Sequence, residues 1–247
     1  MKKYEFDSVI IASGGKGTKI AKIIGHNIIE PRPSLTALKI KEKEFYSLSG
    51  MSFKNVEITA KFENHTYCTF GDILFTHKSL SGPAIFKISS LSAFDNFSSV
   101  NPLEITLKLI DYPLDNIENE LKRNSKKSIK NVFSKFVPEH FIECVLKVNN
   151  IDGAKQAAQI KKFEKEIIYK SLTELKLYAE GKIKDSEIVM AGGVDLNEIN
   201  SKTMESKLIP GLFFTGEILN IDGFTGGFNL QSCWSTAYLC SLNFNYI

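Results

Sequence analysis

Apolar and polar residues alternate along two stretches in the first half of the chain, residues 56–62 and 103–109. A period of two is typical of a β-strand with one buried face and one face in water. Shorter runs of the same kind lie between them, at residues 66–70 and 73–76. Residues 31–110 are therefore predicted to form an antiparallel β domain, either a sheet or a small barrel.

Residues 111–180 show a different spacing, in which apolar side chains recur every three or four positions. This period predicts a small domain of α-helices. The last and longest of the predicted helices covers residues 157–180. Lysines are frequent in this region, but they are interleaved with Glu118, Glu120 and Glu166, which is typical of a helix face in water rather than of a nucleic-acid site.

The two ends of the chain share a third pattern, in which a short apolar run leads into glycines. The runs are residues 8–12, 187–190 and 212–214. Strand, glycine and helix in this order are typical of α/β domains that approach a phosphate or another ligand through bare backbone. Residues 1–30 and 181–247 are therefore predicted to form one α/β domain together.

The C-terminal run carries the most specific chemistry in the sequence. Gly226 and Gly227 let a flat ligand lie against the backbone, because no Cβ holds it away. Asn229 is predicted to cap the following helix, whose free N–H groups suit a phosphate or the anionic edge of a reduced flavin. Glu217 and Asp222 are carboxylates that can accept hydrogen bonds from ribose or ribityl hydroxyls. The same spacing also fits a glycine-rich loop without a ligand, and both interpretations stay open on spacing alone.

Composition narrows the functional classes. The 247 residues carry a net charge of +3, which favours neither a nucleic-acid partner nor a membrane surface. No apolar run of about 18 residues occurs, so no membrane span is predicted. The cysteines and histidines show no metal-ligand spacing, and Cys233 and Cys240 are interpreted as small core residues of the last helix. A cytoplasmic location is predicted.

Several motifs, in the same order along the chain, closely resemble the BaiN-like predicted flavoproteins. That family is also described as NAD(P)/FAD-dependent oxidoreductases or as the aminoacetone oxidase family. The resemblance covers most of the chain outside residues 111–180. The motifs are Val-Ile-Ile-Ala-Ser-Gly-Gly at 9–15, Phe-Thr-His-Lys-Ser-Leu-Ser-Gly-Pro-Ala at 75–84, Ala-Gly-Gly-Val-Asp at 191–195, Gly-Leu-Phe-Phe-Thr-Gly-Glu at 211–217, and Asp-Gly-Phe-Thr-Gly-Gly-Phe-Asn-Leu-Gln at 222–231.

This resemblance implies an α/β fold in which a partial FAD-binding Rossmann-type domain, residues 1–30 and 181–247, is interrupted by the antiparallel β domain and the small helical domain. It implies an FAD-dependent oxidoreductase in which NAD(P)H supplies a hydride to the flavin, which passes it to a small-molecule substrate or to oxygen. His77 is the candidate catalytic acid, with a loop histidine bonded to the backbone as the competing interpretation. The residues predicted to contact the cofactor are Gly14, Gly15, Gly192, Gly193, Gly216, Glu217, Asp222, Gly226, Gly227, Phe228, Asn229 and Leu230.

The resemblance is incomplete at one end. The family carries a strand–helix–strand unit with a G-x-G-x-x-G sequence that binds the FAD pyrophosphate, and nothing of this kind precedes Val9. The alternative interpretation is therefore a cofactor-free remnant or structural module that needs a separate N-terminal segment to bind FAD. The sequence leaves the substrate and the oligomeric state open.

Overall fold

The computed structural model describes residues 5–183 and 188–244. Contacts between residues divide the chain into two compact units. The first, called the glycine-loop unit, comprises Met1–Thr36, Ser89–Phe94 and Lys184–Ile247, and the second, called the barrel unit, comprises Ala37–Ile88 and Asp95–Ile183. The predicted domain boundaries near residues 30, 110 and 180 stay predictions.

Strands and α-helices are mixed along the described residues, which is the mixed α/β class that the sequence predicts. The strands are β1 (Val9–Ile11), β2 (Ile28–Ser34), β3 (Leu38–Ile40), β4 (Ser52–Phe62), β5 (His65–Phe75), β6 (Ser79–Ser81), β7 (Leu103–Lys108), β8 (Leu175–Lys182), β9 (Val189–Val194) and β10 (Leu212–Phe214). The α-helices are α1 (Thr18–Ile23), α2 (Pro83–Leu91), α3 (Leu114–Arg123), α4 (Ile129–Phe133), α5 (Glu139–Val148), α6 (Lys162–Thr173) and α7 (Phe228–Asn243).

The barrel unit contains a closed barrel in the strand order β3-β6-β5-β4-β7-β8. Neighbouring strands are antiparallel throughout. The alternating residues of β4 and β7 turn their apolar side chains into the barrel, where they are fully buried: Val56, Ile58, Ala60, Leu103, Ile105 and Leu107. The strands predicted at residues 56–62 and 103–109 are thus confirmed. Their alternating apolar residues form one buried face, as a period of two predicts.

Helices α3 to α6 follow β7 within the barrel unit. The predicted helix over residues 157–180 is wrong in its second half, because α6 ends at Thr173 and β8 begins at Leu175. Along β8 the buried positions alternate with exposed or half-buried ones. Leu175 fits the helical spacing of the preceding residues, but it is the first buried position of a repeat of period two. Pairing of β8 with both β7 and β3 closes the barrel.

The glycine-loop unit is built on two small sheets. Strands β1 and β10 are parallel, with Val9, Ile10 and Ile11 beside Leu212, Phe213 and Phe214. Strands β2 and β9 are antiparallel. The predicted strand at residues 187–190 overlaps β9, although Glu187 lies outside the described residues. A core of mostly apolar side chains lies between these sheets and α7, and it includes Val194, Phe213, Phe214, Ile218 and Cys240.

Candidate functional site

A cavity of about 430 Å³ opens in the glycine-loop unit beside the first turn of α7. This volume lies in the range of protein sites for small molecules and for parts of cofactors. Most of its wall is apolar, and one carboxylate, Glu217, contributes to it. The lining residues are Leu35, Ile188, Val189, Gly216, Glu217, Ile221, Phe224, Thr225, Gly226, Gly227, Asn229, Leu230, Ser232 and Cys233.

Glycine is required at the start of α7 for a conformational reason. Gly227 precedes the helix with φ of 87°, in the left-handed region that other residues reach only with strain. A Cβ built on Gly227 would meet no atom within 4 Å. The residue therefore presents bare backbone to open space, which is the arrangement that allows a planar ligand to lie close to the chain.

The side chain of Asn229 does not cap α7, so the predicted capping role is wrong. Gly227 occupies the N-cap position, and no side chain accepts from the first turn. Asn229 instead bonds the backbone of Gly223 twice, accepting from its N–H at 2.9 Å and donating to its C=O at 2.8 Å. The backbone N–H groups of Phe228, Asn229 and Leu230 have no partner among the described residues. Three donors and the positive end of a 16-residue helix thus remain available beside the cavity.

Glu217 lies close to Met190 of β9 and to the glycines that follow β1. Its Oε1 accepts from the N–H of Met190 at 3.1 Å. A Cβ built on Gly14 would lie 3.5 Å from Oε2 of Glu217, and one built on Gly15 would lie 3.5 Å from Met190. The structure therefore brings Gly14, Gly15 and Glu217 together, although about 200 residues of sequence separate them.

Asp222 is the most unusual polar group of this region. Its Oδ2 accepts from the hydroxyls of Ser34 at 2.8 Å and Ser90 at 2.9 Å. Its Oδ1 is buried and has no hydrogen-bond partner among the described residues. A buried carboxylate oxygen without a donor is costly, so this atom is a position where a hydroxyl or a water would be stabilised.

A comparison with known protein families shows the family of this chain. A family model described as the HI0933-like protein Rossmann domain matches residues 2–243. The chain belongs to the HI0933-like Rossmann domain family. This is a family of FAD-binding Rossmann domains, and the resemblance to BaiN-like flavoproteins is confirmed at that wider level.

Three curated proteins are similar to the chain over most of its length. The ribosomal RNA dihydrouridine synthase of Escherichia coli is 32% identical over 252 residues, which cover 95% of this chain and 60% of that protein. The protein of the same name from Haemophilus influenzae is 30% identical over 259 residues, 98% of this chain and 61% of that protein. The 3-dehydro-bile acid delta(4,6)-reductase of Clostridium scindens is 26% identical over 253 residues, 96% of this chain and 62% of that protein. The chain spans about three fifths of the length of these curated relatives.

Gly192 and Gly193, also predicted to contact the cofactor, do not line the cavity. A Cβ on Gly192 would lie 2.7 Å from the backbone oxygen of Ile29, and one on Gly193 would lie 2.5 Å from that of Ile218. Both glycines therefore allow two backbone segments to approach each other. Their contact with a cofactor stays a prediction. Phe228 is 62% exposed at the start of α7 and likewise does not line the cavity.

Eight residues of the cavity wall were not among the predicted contacts, and for two of them, Ser232 and Cys233, the sequence contained a signal. Ser232 and Cys233 follow Asn229 by three and four positions, so the three share one helix face. Cys233, interpreted as a core residue, is half-buried on the cavity wall, whereas Cys240 is buried in the core. No sequence signal connects Asp222 with its serine partners, because they are far apart along the chain.

His77 lies in the barrel unit, in the exposed turn between β5 and β6. It makes no hydrogen bond to any described residue, so the backbone-bonded loop histidine of the competing interpretation is not observed. Its role as a catalytic acid stays a prediction.

A second polar constellation, of Ser206, His26 and Glu198, has the order of an acyl-transfer triad. Ser206 Oγ lies 3.1 Å from His26 Nε2, and His26 Nδ1 lies 2.9 Å from Glu198. Ser206 is nevertheless buried, and its Oγ already accepts from the N–H groups of Leu208 and Ile209. Its hydroxyl proton is therefore directed at His26. The constellation fixes a turn in the fold and leaves no oxygen lone pair for attack on a substrate.

Two further observations concern metal binding and membrane spans among the described residues. Within residues 5–183 and 188–244, no three His, Cys, Asp or Glu side chains come close enough together to hold a metal ion. No helix in that part of the chain combines the length and the apolar character needed to cross a bilayer.

Proposed function

We propose that this chain is the flavin-binding part of an FAD-dependent oxidoreductase that saturates a carbon–carbon double bond conjugated to a carbonyl, with NAD(P)H as the reductant. The observation that carries the proposal is the cavity at the first turn of α7, where three backbone N–H groups have no partner within residues 5–183 and 188–244. Bound FAD would supply the two-electron chemistry, and the protein supplies binding, orientation and electrostatics.

The cavity residues fit a flavin ring in shape and in charge. The open space at Gly227 gives a planar ring access to the backbone. The N–H groups of Phe228, Asn229 and Leu230 would donate to the carbonyl and nitrogen edge of the ring. Their partial positive charge favours the form of the ring that carries negative charge after reduction. This is the same chemistry by which helix N-termini bind phosphates and other anions.

Two carboxylates fit the sugar-like chain of the cofactor. Glu217 keeps Oε2 available, because its hydrogen bond from the backbone N–H of Met190 is accepted by Oε1. Asp222 has a buried oxygen, Oδ1, to which no described residue donates. Ribityl or ribose hydroxyls are donors of the required kind, and we assign Glu217 and Asp222 to them. Gly14 and Gly15 would lie on the nucleotide side of Glu217.

The proposed reaction class rests on the names of the relatives. Both names describe the saturation of ring double bonds, in uridine of ribosomal RNA and in a 3-dehydro bile acid. In each ring the double bond is conjugated to a carbonyl. Hydride therefore adds to the carbon remote from the carbonyl, and a proton adds to the carbon beside it. The two electrons come from NAD(P)H, which leaves as NAD(P)+.

Uridine in RNA is the preferred substrate of the proposal, because the two RNA-modifying relatives are 32% and 30% identical and the bile-acid reductase is 26% identical. This choice departs from the sequence prediction that no nucleic acid is a partner. Ribosomal RNA transcribed in vitro contains no dihydrouridine, so it is the substrate for the test. The purified protein with FAD and NADPH is expected to form dihydrouridine, measured by mass spectrometry of nucleosides, and a product found only with a 3-oxo-4,6-diene steroid would assign the other substrate.

Flavin binding is tested separately from turnover. The wild-type protein is expected to show the visible absorption of oxidised flavin after titration with FAD. The substitution Cys233→Phe fills the cavity wall and is expected to weaken FAD binding at least tenfold. The control Ser235→Phe places the same ring on an exposed position of α7 and is expected to leave binding unchanged. Equal binding by both variants would contradict the cavity assignment, and a protein that stays colourless with FAD favours the cofactor-free module.

A further inference from the structure

Positive charge is concentrated in two segments of the barrel unit, residues 118–127 and 155–166. Together they contain eight basic and four acidic side chains, which leaves 23 of the 31 basic and 24 of the 28 acidic residues for the rest of the chain. The positive net charge of the chain therefore comes from these two segments. A local excess of positive charge is what attracts a polyanion to a surface, even where the whole chain is nearly balanced.

The fold places the two segments side by side. The N–H of Ala157 donates to the C=O of Lys127 at 2.8 Å, and the N–H of Ala158 donates to the C=O of Ser125 at 3.0 Å. The turn that follows α3 is therefore attached to the chain that leads into α6.

Three lysines surround the carboxylate of Glu118 in α3. Lys165 of α6 donates a hydrogen bond to it, and this bond and the charge of Lys165 lower the pKa of the carboxyl. The charges of Lys122, one turn further along α3, and of Lys162, at the start of α6, lower this pKa further. Lysines from both helices thus come together at Glu118, although about 40 residues of sequence separate the two helices.

The four carboxylates of the two segments are each paired with a basic side chain, and four exposed lysines remain. The pairs are Glu118–Lys165, Glu120–Lys135, Glu120–Arg123, Glu164–Lys155 and Glu166–Lys162. The lysines that form no ion pair with a described residue, called the basic surface, are Lys122, Lys126, Lys127 and Lys161. The glutamates that are interleaved with lysines in the sequence therefore bind other partners and leave the basic surface available to a ligand.

The surroundings of Lys161 favour an anion with an aromatic part. Lys161 directly precedes α6 and Lys162 is its first residue, so both cations lie at the positive end of the helix dipole, where they are repelled. A phosphate at this position would be attracted by the lysines and by the dipole together. Nζ of Lys161 also lies 5.8 Å from the ring centroid of Phe163, whose side chain is 54% exposed. An exposed ring beside a cation is the combination on which single-stranded nucleic acids bind, since a base stacks on the ring and its phosphate contacts the cation.

A cavity of about 350 Å³ adjoins Lys122. Small and apolar side chains, among them Leu121, Ala157 and Ile160, line it together with Lys122 and Lys165. Apolar wall next to ammonium groups suits a sugar and base that are joined to a phosphate.

We propose that the basic surface and Phe163 bind a single-stranded segment of the RNA substrate, with the lysines on its phosphates and the ring of Phe163 against one base. The choice of RNA as the polyanion rests on the proposed function. A single strand fits better than a duplex, because only unpaired bases offer their faces to an aromatic side chain. Phosphate contacts carry no base information, so this surface contributes affinity and orientation rather than the choice of the uridine.

The salt dependence of RNA binding tests the lysines. The probe is a fluorescently labelled fragment of ribosomal RNA transcribed in vitro, and its anisotropy is measured with the full chain at several salt concentrations. The test variant carries four substitutions, Lys122→Gln, Lys126→Gln, Lys127→Gln and Lys161→Gln. It is expected to bind at least about tenfold more weakly, and its slope of log affinity against log salt is expected to be smaller by about 3, since each phosphate contact to a single strand contributes about 0.7. The control variant removes the same charge from four other exposed lysines of the barrel unit without an ion pair to a described residue, through Lys41→Gln, Lys54→Gln, Lys61→Gln and Lys147→Gln. It is expected to lose less than about threefold, because it loses only long-range attraction.

The ring of Phe163 is tested by Phe163→Leu, which keeps an apolar side chain and removes the stacking face. This variant is expected to bind RNA at least about fivefold more weakly, with an unchanged salt slope, because stacking releases no counterions. The control is Phe70→Leu, at a ring that is 57% exposed elsewhere in the barrel unit, and it is expected to bind like the wild type. Circular dichroism checks that all variants fold.

Turnover separates this inference from the proposed function. The fourfold variant of the basic surface is expected to form dihydrouridine with a raised KM for RNA and an unchanged kcat. An unchanged KM, RNA binding as tight as that of the control variant, or tighter binding of polyglutamate than of RNA at equal salt would overturn the inference alone. RNA binding that depends on the basic surface without formation of dihydrouridine would leave it intact and would count against the proposed reaction. A wild-type chain that binds no RNA at micromolar concentration would overturn both.

Discussion

Asn229 and Gly223 form two hydrogen bonds with each other across the glycine loop. The Gly223 N–H donates to Oδ1 and the Asn229 Nδ2 donates to the Gly223 C=O, at 2.9 Å and 2.8 Å. The pair ties the loop that contains Gly226 and Gly227 to the first turn of α7. The free N–H groups of that turn are thereby fixed in direction before any ligand arrives, which reduces the ordering cost of binding.

Removing this pair is expected to weaken FAD binding without unfolding α7. Asn229→Ala deletes both bonds, and a neutral hydrogen bond contributes about 0.5–1.5 kcal/mol. We expect a loss of roughly tenfold to a hundredfold in FAD affinity, measured by flavin fluorescence titration. Asn229→Asp keeps the acceptor for the Gly223 N–H and loses the donor, so an intermediate loss is expected. An Asp variant as weak as the Ala variant would show that the accepted bond contributes nothing.

Substitutions of Gly227 are expected to lower the free energy of unfolding through backbone strain at the start of α7. Gly227 has φ of 87° and open space around its Cβ position. Gly227→Ala should therefore lower the free energy of unfolding by about 1 kcal/mol through strain alone, with little steric clash. Asn tolerates the left-handed conformation better, so Gly227→Asn should cost less than Gly227→Ala. Urea denaturation measures both, and a Gly227→Ala variant as stable as the wild type would exclude the strained conformation.

The barrel strands could be predicted from the sequence because the alternation that indicates them is visible within a few consecutive residues. Alternation along residues 56–62 and 103–109 requires only that one face be buried, and β4 and β7 satisfy this. The boundary between α6 and β8 could not be read in the same way. Leu172 and Leu175 fit a helical spacing, and the helix ends there because β8 pairs with strands that are distant in sequence. Long-range pairing overrides local spacing at such positions.

The site was predictable where glycines and helix spacing determine it, and not where distant partners do. The glycine run before α7 indicated the cavity, and the spacing from Asn229 to Cys233 could have extended it. The capping prediction for Asn229 was wrong because Gly227 already begins the helix in a left-handed conformation. The role of Asn229 depends on Gly223, six residues earlier, and that distance becomes short only when the loop is folded. The serines that bond Asp222 depend on tertiary structure alone.

The hydrogen bonds of Ser206 in the turn at residues 206–209 are expected to contribute substantially to the stability of the glycine-loop unit. Ser206→Ala leaves the N–H groups of Leu208 and Ile209 without their acceptor and removes the donor to His26. Unsatisfied buried polar groups cost about 1–3 kcal/mol each, so we expect a fall of at least about 1 kcal/mol in the free energy of unfolding. The control is Ser201→Ala at an exposed position, which should change it by less than about 0.5 kcal/mol. Equal effects of the two substitutions would contradict the assigned role.

The pair of Glu118 and Lys165 is expected to make the stability of the barrel unit dependent on pH. The hydrogen bond from Lys165, and then its charge, lower the pKa of the Glu118 carboxyl below its ordinary value of 4.5. The unfolded chain therefore binds this proton at higher pH than the folded chain, and the stabilisation is present above that value and lost as pH falls through the lower folded pKa. Glu118→Gln should lower the urea midpoint near pH 7 and have little effect near pH 3. Glu44→Gln, at an exposed carboxylate with no ion pair to a described residue, is the control. A Glu118→Gln effect of the same size at both pH values would rule out the ion pair as its cause.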